Sequence, residues 1–241
     1  TQSLHTLVER GFLTESELQD LKDGRTFLWE IRYALHLLAG RGEDRLLFDH
    51  QRTLASLWGF EDGDTLAVEQ FMHTYYRWAL ALGQLNEVLI QNFDQAILRP
   101  DRAEDIEIIN ERFQLRNDYI EARNDDVFTK TPSALLEVFL LCATLERSEG
   151  VAAPTIRLIR NNRHLIDDAF RADAKNKETF LEILRAPHKM TRQLRRMTRY
   201  GILGEYLPEF GKIVGQMQHD LFHTYTVDAH TLEVIKNTRR F

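Results

Sequence analysis

The sequence predicts an all-α protein, a helical bundle with one minor β-hairpin. Apolar residues recur every three or four positions through most of the 241 residues, which is the spacing of amphipathic helices. Residues 65–98 carry an aromatic stripe along a single long helix. Strand-like alternation is confined to a short segment near residues 113–120, so we expect the hairpin there.

The first long helix is predicted to begin at a capping box. Thr14 can accept a hydrogen bond from the backbone of Glu17, whose side chain can reach back to the amide of Thr14. Apolar residues then follow at helical spacing as far as Gly40, which we expect to end the helix. A shorter helix is predicted to run to Trp58, with Asp49 as its cap.

Residues 65–98 form the most regular segment of the chain. Its apolar residues recur in steps of three and four, which places them on one face of a helix about 50 Å long. The aromatic side chains favour packing inside a bundle over a coiled-coil seam. Pro100 is expected to stop the helix. The stripe consists of Phe71, Tyr75, Trp78, Leu82, Leu85, Leu89 and Phe93.

The predicted hairpin has Asn117 and Asp118 at its turn, because these residues tolerate the positive φ values that a tight turn needs. Asn176 is predicted to cap a later helix, and Pro187 to open the last helix of the scaffold. Four helices are predicted after the hairpin, over residues 131–145, 153–167, 176–185 and 188–200. Three domains are expected, at residues 1–100, 101–200 and 201–241, the last being truncated.

Composition excludes several classes of protein. Hydrophobic residues make up 43% and charged residues 28%, as in ordinary soluble domains. The net charge of −6 argues against a nucleic-acid partner, and no apolar run is long enough to span a membrane. The single cysteine, Cys142, lies in an apolar run, so it is expected to be buried and unable to form an internal disulfide. These features favour a cytoplasmic location.

Residues 185–199 are locally basic, although the whole chain has a net negative charge. Six basic residues occur there without an acid. Arg192, Arg195, Arg196 and Arg199 lie three or four apart and therefore share a side of the predicted helix. They could receive a phosphate group or an acidic protein surface. The alternative is a solvated face whose charges pair with acids of neighbouring helices.

A second polar cluster lies at a loop–helix junction. Asp49, His50 and Gln51 follow Arg45 closely, so that an acid, a base and an amide occur together. A catalytic role is one interpretation of Asp49 and His50. Helix capping and surface solvation explain the cluster without any function.

Residues 215–232 concentrate three of the nine histidines and two aspartates. These are His219, Asp220, His223, Asp228 and His230. Adjacent His219 and Asp220 invite comparison with metal-binding doublets, but they follow a turn rather than lying inside an apolar helix. His230 is the better metal-ligand candidate, because an amphipathic helix continues from it. One imidazole fills one coordination position, so further ligands are required, for which His223 and Asp228 are candidates.

Several segments resemble the family of bifunctional PII uridylyltransferase/uridylyl-removing enzymes, GlnD. The segments are residues 27–40, 44–51, 132–139, 194–204, 206–210 and 213–232. Members of this family combine a nucleotidyltransferase domain, a helical region, an HD domain and paired ACT domains. The resemblance implies a central helical fragment that lacks the nucleotidyltransferase core and most of the HD domain. His230 matches the first histidine of the HD pattern.

The resemblance implies a role in nitrogen regulation. The family transfers UMP from UTP to a tyrosine of the PII signal protein and removes it by hydrolysis, with glutamine as effector acting through domains outside this chain. Mg²⁺ or Mn²⁺ serves the complete enzyme, whereas we expect no metal, no catalytic residue and no activity in this fragment. Alternatively, the chain is a non-catalytic helical module that docks PII or another protein. Exposed apolar residues at the start of the HD domain, within residues 201–241, could allow self-association.

Overall fold

The computed structural model describes residues 2–94, 105–217 and 226–238. It is mostly helical with a small sheet, which confirms the predicted fold class. The chain divides into two compact units, the first formed from residues 1–85 with 213–234 and the second from residues 86–212 with 235–241. The three predicted domains remain a prediction. In the described ranges, no helix is both long enough and apolar enough to cross a membrane.

In the described residues of the first unit, the regular secondary structure is helical. It contains α1 (Gln2–Glu9), α2 (Glu15–Ala39), α3 (Phe48–Leu57) and the earlier parts of α4 (Ala67–Phe93) and α13 (Val227–Thr238). Its core is centred on the fully buried Phe71, whose ring lies 5.9 Å from that of Trp58 and 6.1 Å from that of Phe60. The aromatic residues of α4 therefore pack inside a bundle, as predicted.

Both predicted ends of α2 are confirmed. Thr14 Oγ1 accepts the Glu17 N–H, and a Glu17 carboxylate oxygen accepts the Thr14 N–H in return. Gly40 ends the helix in the left-handed conformation, with φ of 65°. Gly24, in the middle of α2, lets α4 approach closely, because a Cβ there would lie 2.9 Å from Trp78 Cε3.

The prediction that Asp49 caps α3 is wrong. The N-cap position is Leu47, which makes no side-chain cap, and Asp49 lies within the first turn. The chain before α3 is held instead by the buried Gln51, whose Nε2 donates to the Leu46 carbonyl oxygen at 2.8 Å. The predicted stop of α4 at Pro100 lies outside the described residues.

A four-stranded sheet belongs to the second unit. Its strands β1 (Ile106–Ile108), β2 (Phe113–Arg116), β3 (Tyr119–Ala122) and β4 (Gly150–Val151) lie in the order β1-β2-β3-β4. The predicted hairpin is β2 and β3, with Asn117 and Asp118 at φ of 50° and 69°. Sequence alternation did not reveal β1 or β4. Strand β4 joins the sheet parallel to β3.

Short helices follow the strands of this sheet along the chain. They are α5 (Val127–Lys130), α6 (Ala134–Thr144), α7 (Ala153–Asn162), α8 (Asp168–Ala172), α9 (Ala174–Arg185), α10 (Met190–Arg199), α11 (Ile202–Tyr206) and α12 (Pro208–Ile213). The predicted cap at Asn176 is wrong, because Asp173 caps α9 and receives the Asn176 N–H. Helix α7 ends earlier than predicted and continues as a 3₁₀ turn, Arg163–Leu165. Helix α10 begins at Met190, two residues after the predicted start.

Helix α6 forms the centre of the second unit. Its side chains from Ala134 to Phe139 are almost all buried, and the Phe139 ring lies 6.1 Å from that of Tyr200. Cys142 is buried on the same helix, as predicted, and burial raises the pKa of its thiol. Because α6 lies in the core, its residues are apolar around most of the helix rather than along one face.

Candidate metal-binding and phosphate-binding residues

Asp228 lies in the first turn of α13 with only 5% of its surface exposed. Its Oδ1 accepts a hydrogen bond from the Gly215 N–H at 3.0 Å. Gly215 has φ of 72°, which a residue with a side chain would adopt only with strain. The Val227 N–H donates to the Gln216 carbonyl oxygen at 2.9 Å, so two hydrogen bonds join this turn to the start of α13.

The surroundings of Asp228 are those of a residue that organises the fold. A carboxylate is favoured at a helix N-terminus, where backbone N–H groups lack helical partners. Burial, together with the charges of Tyr75 and Asp228, raises the pKa of Tyr76. His73 Nε2 lies 3.2 Å from the Val214 carbonyl oxygen, which adds another contact to the same turn.

His230 is exposed and lies two residues after Asp228 on α13. Residues two apart project about 200° apart around a helix, so these side chains do not present ligands to one ion. Within the described ranges, no three or more His, Cys, Asp or Glu side chains group where they could hold a metal ion. His219, Asp220 and His223 lie outside those ranges. The described residues alone therefore do not fit a metal centre, and His230 as first ligand stays a prediction.

The four arginines of α10 differ in their environments. Arg192, Arg195 and Arg199 are exposed, whereas Arg196 is buried with 9% of its surface exposed. Arg196 Nη1 donates to Gln193 Oε1 at 2.9 Å, and its Nη2 donates to the Glu149 carbonyl oxygen at 2.9 Å. Arg192 Nη2 donates to the same carbonyl oxygen at 2.8 Å. Arg196 therefore belongs to the interior and not to a solvated face.

Lys189 extends this pattern just before α10. Its Nζ donates to the carbonyl oxygens of Leu145, Glu146 and Ser148 at 2.7, 3.0 and 3.2 Å. These carbonyls follow the end of α6, where backbone acceptors lack helical partners and cations are favoured. The basic side chains thus hold the loop that leads into β4. Sequence spacing carried no signal for these contacts, because the two segments lie more than 40 residues apart in the chain.

Arg199 pairs with a carboxylate. Its Nη1 lies 2.8 Å from Glu87 Oε2, and Tyr200 Oη donates to Glu87 Oε1 at 2.8 Å. Burial is the largest cause of a raised pKa at Tyr200, so the phenol remains protonated and donates this bond. The interpretation of α10 as a face paired with acids fits Arg199, whereas Arg192 and Arg196 bind backbone oxygen.

The Asp49 and His50 cluster does not assemble as a site. Arg45 instead pairs with the buried Glu43, at 2.9 Å from Arg45 Nε to Glu43 Oε1. Hydrogen bonds from the Arg45 side chain and backbone lower the pKa of Glu43 to about 2. In the part of the chain that the structure describes, no hydrogen bond joins the side chains of Asp49, His50 and Gln51. Catalysis by Asp49 and His50 therefore gains no support from geometry.

Comparison with known proteins decides the family. Residues 1–90 match the family model described as GlnD PII-uridylyltransferase, and residues 113–206 match the one described as uridylyltransferase GlnD third domain. The chain belongs to the GlnD uridylyltransferase family. The matched ranges include α2, most of α4 and the basic helix α10. His230 and Asp228 lie beyond both matched ranges. No solved structure matches the chain.

Full-length relatives share extensive identity with this GlnD chain. The bifunctional uridylyltransferase/uridylyl-removing enzyme of Pseudomonas aeruginosa is 56% identical over 239 residues, which cover 99% of this chain. The enzyme of that name from Azotobacter vinelandii is 57% identical over 241 residues, or 100% of the chain. In both cases the matched region is 27% of the relative, so the chain spans about a quarter of these proteins' length.

Proposed function

We propose that this chain is the central helical part of an enzyme that transfers UMP from UTP to a tyrosine of PII and removes it by hydrolysis. The identity of 56–57% across the whole chain with relatives named for both activities carries this proposal. The groups that perform the transfer would lie outside residues 1–241, and the chain alone would be inactive. The chain would provide the helical scaffold of this enzyme, with domain boundaries near residues 100 and 200.

The proposed enzyme would take PII and UTP as partners, respond to glutamine through regions outside these residues, and operate in the cytoplasm. Mg²⁺ or Mn²⁺ would supply Lewis acidity to the complete enzyme. His230 is exposed on α13 and would contribute the first imidazole of the HD site. The described residues do not complete a metal centre, so they would not perform the hydrolysis by themselves. Self-association through the start of α13 is a further expectation of this proposal.

Exposed arginines of α10 would contact the triphosphate or the PII surface. Arg192 and Arg195 are exposed, but Arg192 shares the Glu149 carbonyl oxygen with the buried Arg196. Charge reversal at Arg195 in the longer enzyme leaves those two hydrogen bonds in place, so it should raise the KM for UTP or PII without unfolding the enzyme. Unchanged kinetics would count against this assignment.

The central experiment compares two polypeptides with purified PII and radiolabelled UTP. A longer polypeptide that continues this chain at both ends should label PII, and residues 1–241 alone should not. Turnover by the 241-residue chain would overturn the assignment of the chemistry to other regions. Failure of the longer enzyme to label PII would overturn the proposed function.

The His230→Ala variant of the longer enzyme separates the two activities. Loss of one metal ligand should abolish removal of UMP while leaving transfer to PII intact. His188→Ala is the matched control, because His188 is also exposed but lies outside the HD resemblance. Equal loss of both activities in His230→Ala would contradict the role of this residue as an HD ligand.

An interaction module that docks PII or another protein is the second candidate. Trp29, Tyr33 and Leu37 are 60%, 67% and 65% exposed and lie four residues apart along α2. Such a row of large apolar side chains is typical of a protein contact. Capture of PII by the 241-residue chain, lost when all three residues are changed to alanine, would support this function. Absence of capture would favour a passive scaffold.

A further inference from the structure

The two edges of the sheet in the second unit differ in how they are covered. At one edge lies β4, whose two residues are both buried, and Gln91 Nε2 donates to the Val151 carbonyl oxygen there at 3.0 Å. At the other edge lies β1, whose three residues are all exposed. An exposed edge strand offers N–H and C=O groups to which another strand can pair. Strand β1 is therefore the open edge of this sheet.

Hydrogen bonds to β2 show which backbone groups of β1 are available. The Asp105 carbonyl oxygen accepts a bond of 2.9 Å from the residue that follows β2, and the Ile109 N–H donates to the first residue of β2 at 3.1 Å. Antiparallel strands bond through alternate residues, so Glu107 also faces β2. The N–H and C=O groups of Ile106 and Ile108 therefore point away from the sheet. In the described part of the chain, no hydrogen bond is made to these groups.

The side chains of the same two residues make this edge apolar on one face. Ile106 and Ile108 are two apart in a strand, so they share a face, and they are 44% and 64% exposed. Their neighbours on β2 are Arg116 and Gln114, which both donate to Glu121 on β3 and thus turn away from the isoleucines. A strand added to β1 would cover both isoleucines with its own side chains.

The opposite face of this edge is acidic. Glu107 has 63% of its side chain exposed, and its Oε2 lies 3.4 Å from Arg147 Nη1. Arg147 Nη2 also lies 2.5 Å from Asp105 Oδ2 and 3.0 Å from Asp118 Oδ1. Three carboxylates thus share one guanidinium, and Glu107 makes the longest of the three contacts. Its carboxylate remains accessible to a second cation.

This charge selects the kind of strand that fits the edge. If a second copy paired antiparallel with β1 about its central residue, the two Glu107 carboxylates would lie directly opposite each other, and like charges opposite each other destabilise a sheet. A basic residue at that position would instead form a favourable pair with Glu107. Apolar residues on either side of it would lie opposite Ile106 and Ile108. The edge therefore disfavours its own copy and favours a basic strand.

We propose that β1 binds an extended segment of another protein, in antiparallel pairing, through three residues in the order apolar, basic, apolar. The backbone groups of Ile106 and Ile108 bond to the two apolar residues. The basic side chain between them contacts Glu107. This surface is independent of the proposed uridylyltransfer, because none of its residues belongs to α10 or α13.

A fluorescein-labelled peptide, Thr-Val-Lys-Val-Thr, tests the pairing with the 241-residue chain. Fluorescence anisotropy should show saturable binding, and hydrogen exchange measured by NMR should slow about tenfold at the amides of Ile106 and Ile108. The Ile109 amide is the internal control, because it already bonds to β2. N-methylation of the two valines should abolish binding, whereas N-methylation of the lysine should not, since its N–H points away from β1. Absence of binding, unchanged exchange, or equal effects of the two methylations would overturn the proposal.

Substitutions test the part played by charge. Glu107→Lys should weaken binding of this peptide about tenfold and favour a peptide with glutamate in place of lysine, and Glu107→Gln should weaken it about threefold. Glu111→Lys is the matched control, because Glu111 is exposed, carries the same charge and lies in the turn between β1 and β2. Circular dichroism checks that each variant is folded. Equal weakening by Glu107→Lys and Glu111→Lys would refute pairing at β1.

Two other occupants of the edge give different results. Without peptide, exchange at Ile106 and Ile108 should not depend on protein concentration, and it should be as fast in the longer enzyme as in the 241-residue chain. Protection that rises with concentration would show that a second copy pairs with β1. Protection confined to the longer enzyme would show that its own polypeptide covers the edge. Either result would overturn the assignment to another protein.

Discussion

Helix α2 is positioned by contacts with residues close to it in sequence, whereas α10 is positioned by contacts with a distant loop. The ends of α2 are set by its own neighbourhood, through the Thr14 capping box and the left-handed Gly40. Helix α10 has no side-chain cap at its N-terminus, and its arginines bind a loop 43 and 47 residues earlier in the chain. The first arrangement can be read from a few adjacent residues. The second exists only after distant segments have packed together.

The two units also differ in their spectroscopic properties. All three tryptophans, Trp29, Trp58 and Trp78, lie in the first unit. Tryptophan fluorescence therefore follows unfolding of the first unit, and far-ultraviolet circular dichroism follows both. Substitutions in α2 and α10 can be assigned to a unit by comparing these two signals.

Arg196→Ala should produce the largest effect, because it removes two charge-assisted hydrogen bonds and leaves a void in the second unit. We expect the free energy of unfolding to fall by about 3 kcal/mol. Arg195→Ala is the control on the same helix and should cost less than about 0.5 kcal/mol, because Arg195 is exposed. Urea unfolding followed by circular dichroism measures both. If the two variants lost the same free energy of unfolding, the burial of Arg196 would not be what makes it important for stability.

Asp228→Ala should lower the free energy of unfolding of the first unit by about 2 kcal/mol, because the Gly215 N–H loses its acceptor. Asp228→Asn retains an oxygen in the same place and should cost about half as much. Tryptophan fluorescence during urea unfolding reports the change. A fluorescence midpoint that does not move in Asp228→Ala would show that the turn at Gly215 does not stabilise this unit.

Thr14→Ala tests the local control of α2. Loss of the N-cap oxygen should cost about 1 kcal/mol, whereas Thr14→Asn should remain near the unaltered protein because asparagine is an effective cap. Thermal unfolding followed by tryptophan fluorescence would resolve the difference. If both substitutions were equally harmful, the hydroxyl would not be acting as a cap.

Glu43→Gln should give the smallest effect, and it should depend on pH. The folded-state pKa of about 2 lies below the ordinary value of 4.5, so the carboxylate contributes stability above pH 4.5 that is lost as the pH falls toward 2. The variant should therefore be less stable than the unaltered protein at pH 7, and the difference should shrink as the pH falls from 4.5 through 2. Unfolding midpoints across this range provide the test. A difference that stays constant between pH 4.5 and pH 2 would contradict the assigned cause.

The comparison of α2 with α10 also explains which predictions succeeded. The capping box at Thr14, the stop at Gly40 and the turn at Asn117 depend on residues within a few positions of each other, and all three are confirmed. The caps predicted at Asp49 and Asn176 are wrong, because α3 follows Leu47 without any side-chain cap and α9 is capped by a different polar residue, Asp173. Local sequence indicates that a helix begins nearby more reliably than it identifies the capping residue.

Long-range contacts account for what could not be predicted. Spacing alone placed Arg196 with its neighbours on α10, and its burial depends on Gln193 and the distant Glu149 carbonyl. Strand β4 has only two residues, too few to show alternation, and becomes a strand because β3 pairs with it. The assignment of His230 depends on the family resemblance, since no described cluster of ligands surrounds it.

The parallel pairing of β3 with β4 has a consequence for the order of folding. Strands β2 and β3 meet through a two-residue turn, so their hairpin can form rapidly from local contacts. Strand β4 can pair with β3 only after the intervening chain, including α5 and α6, has closed into a loop. Closing that loop costs entropy before any contact compensates for it. The edge of the sheet formed by β4 should therefore acquire hydrogen-exchange protection later in refolding than the hairpin.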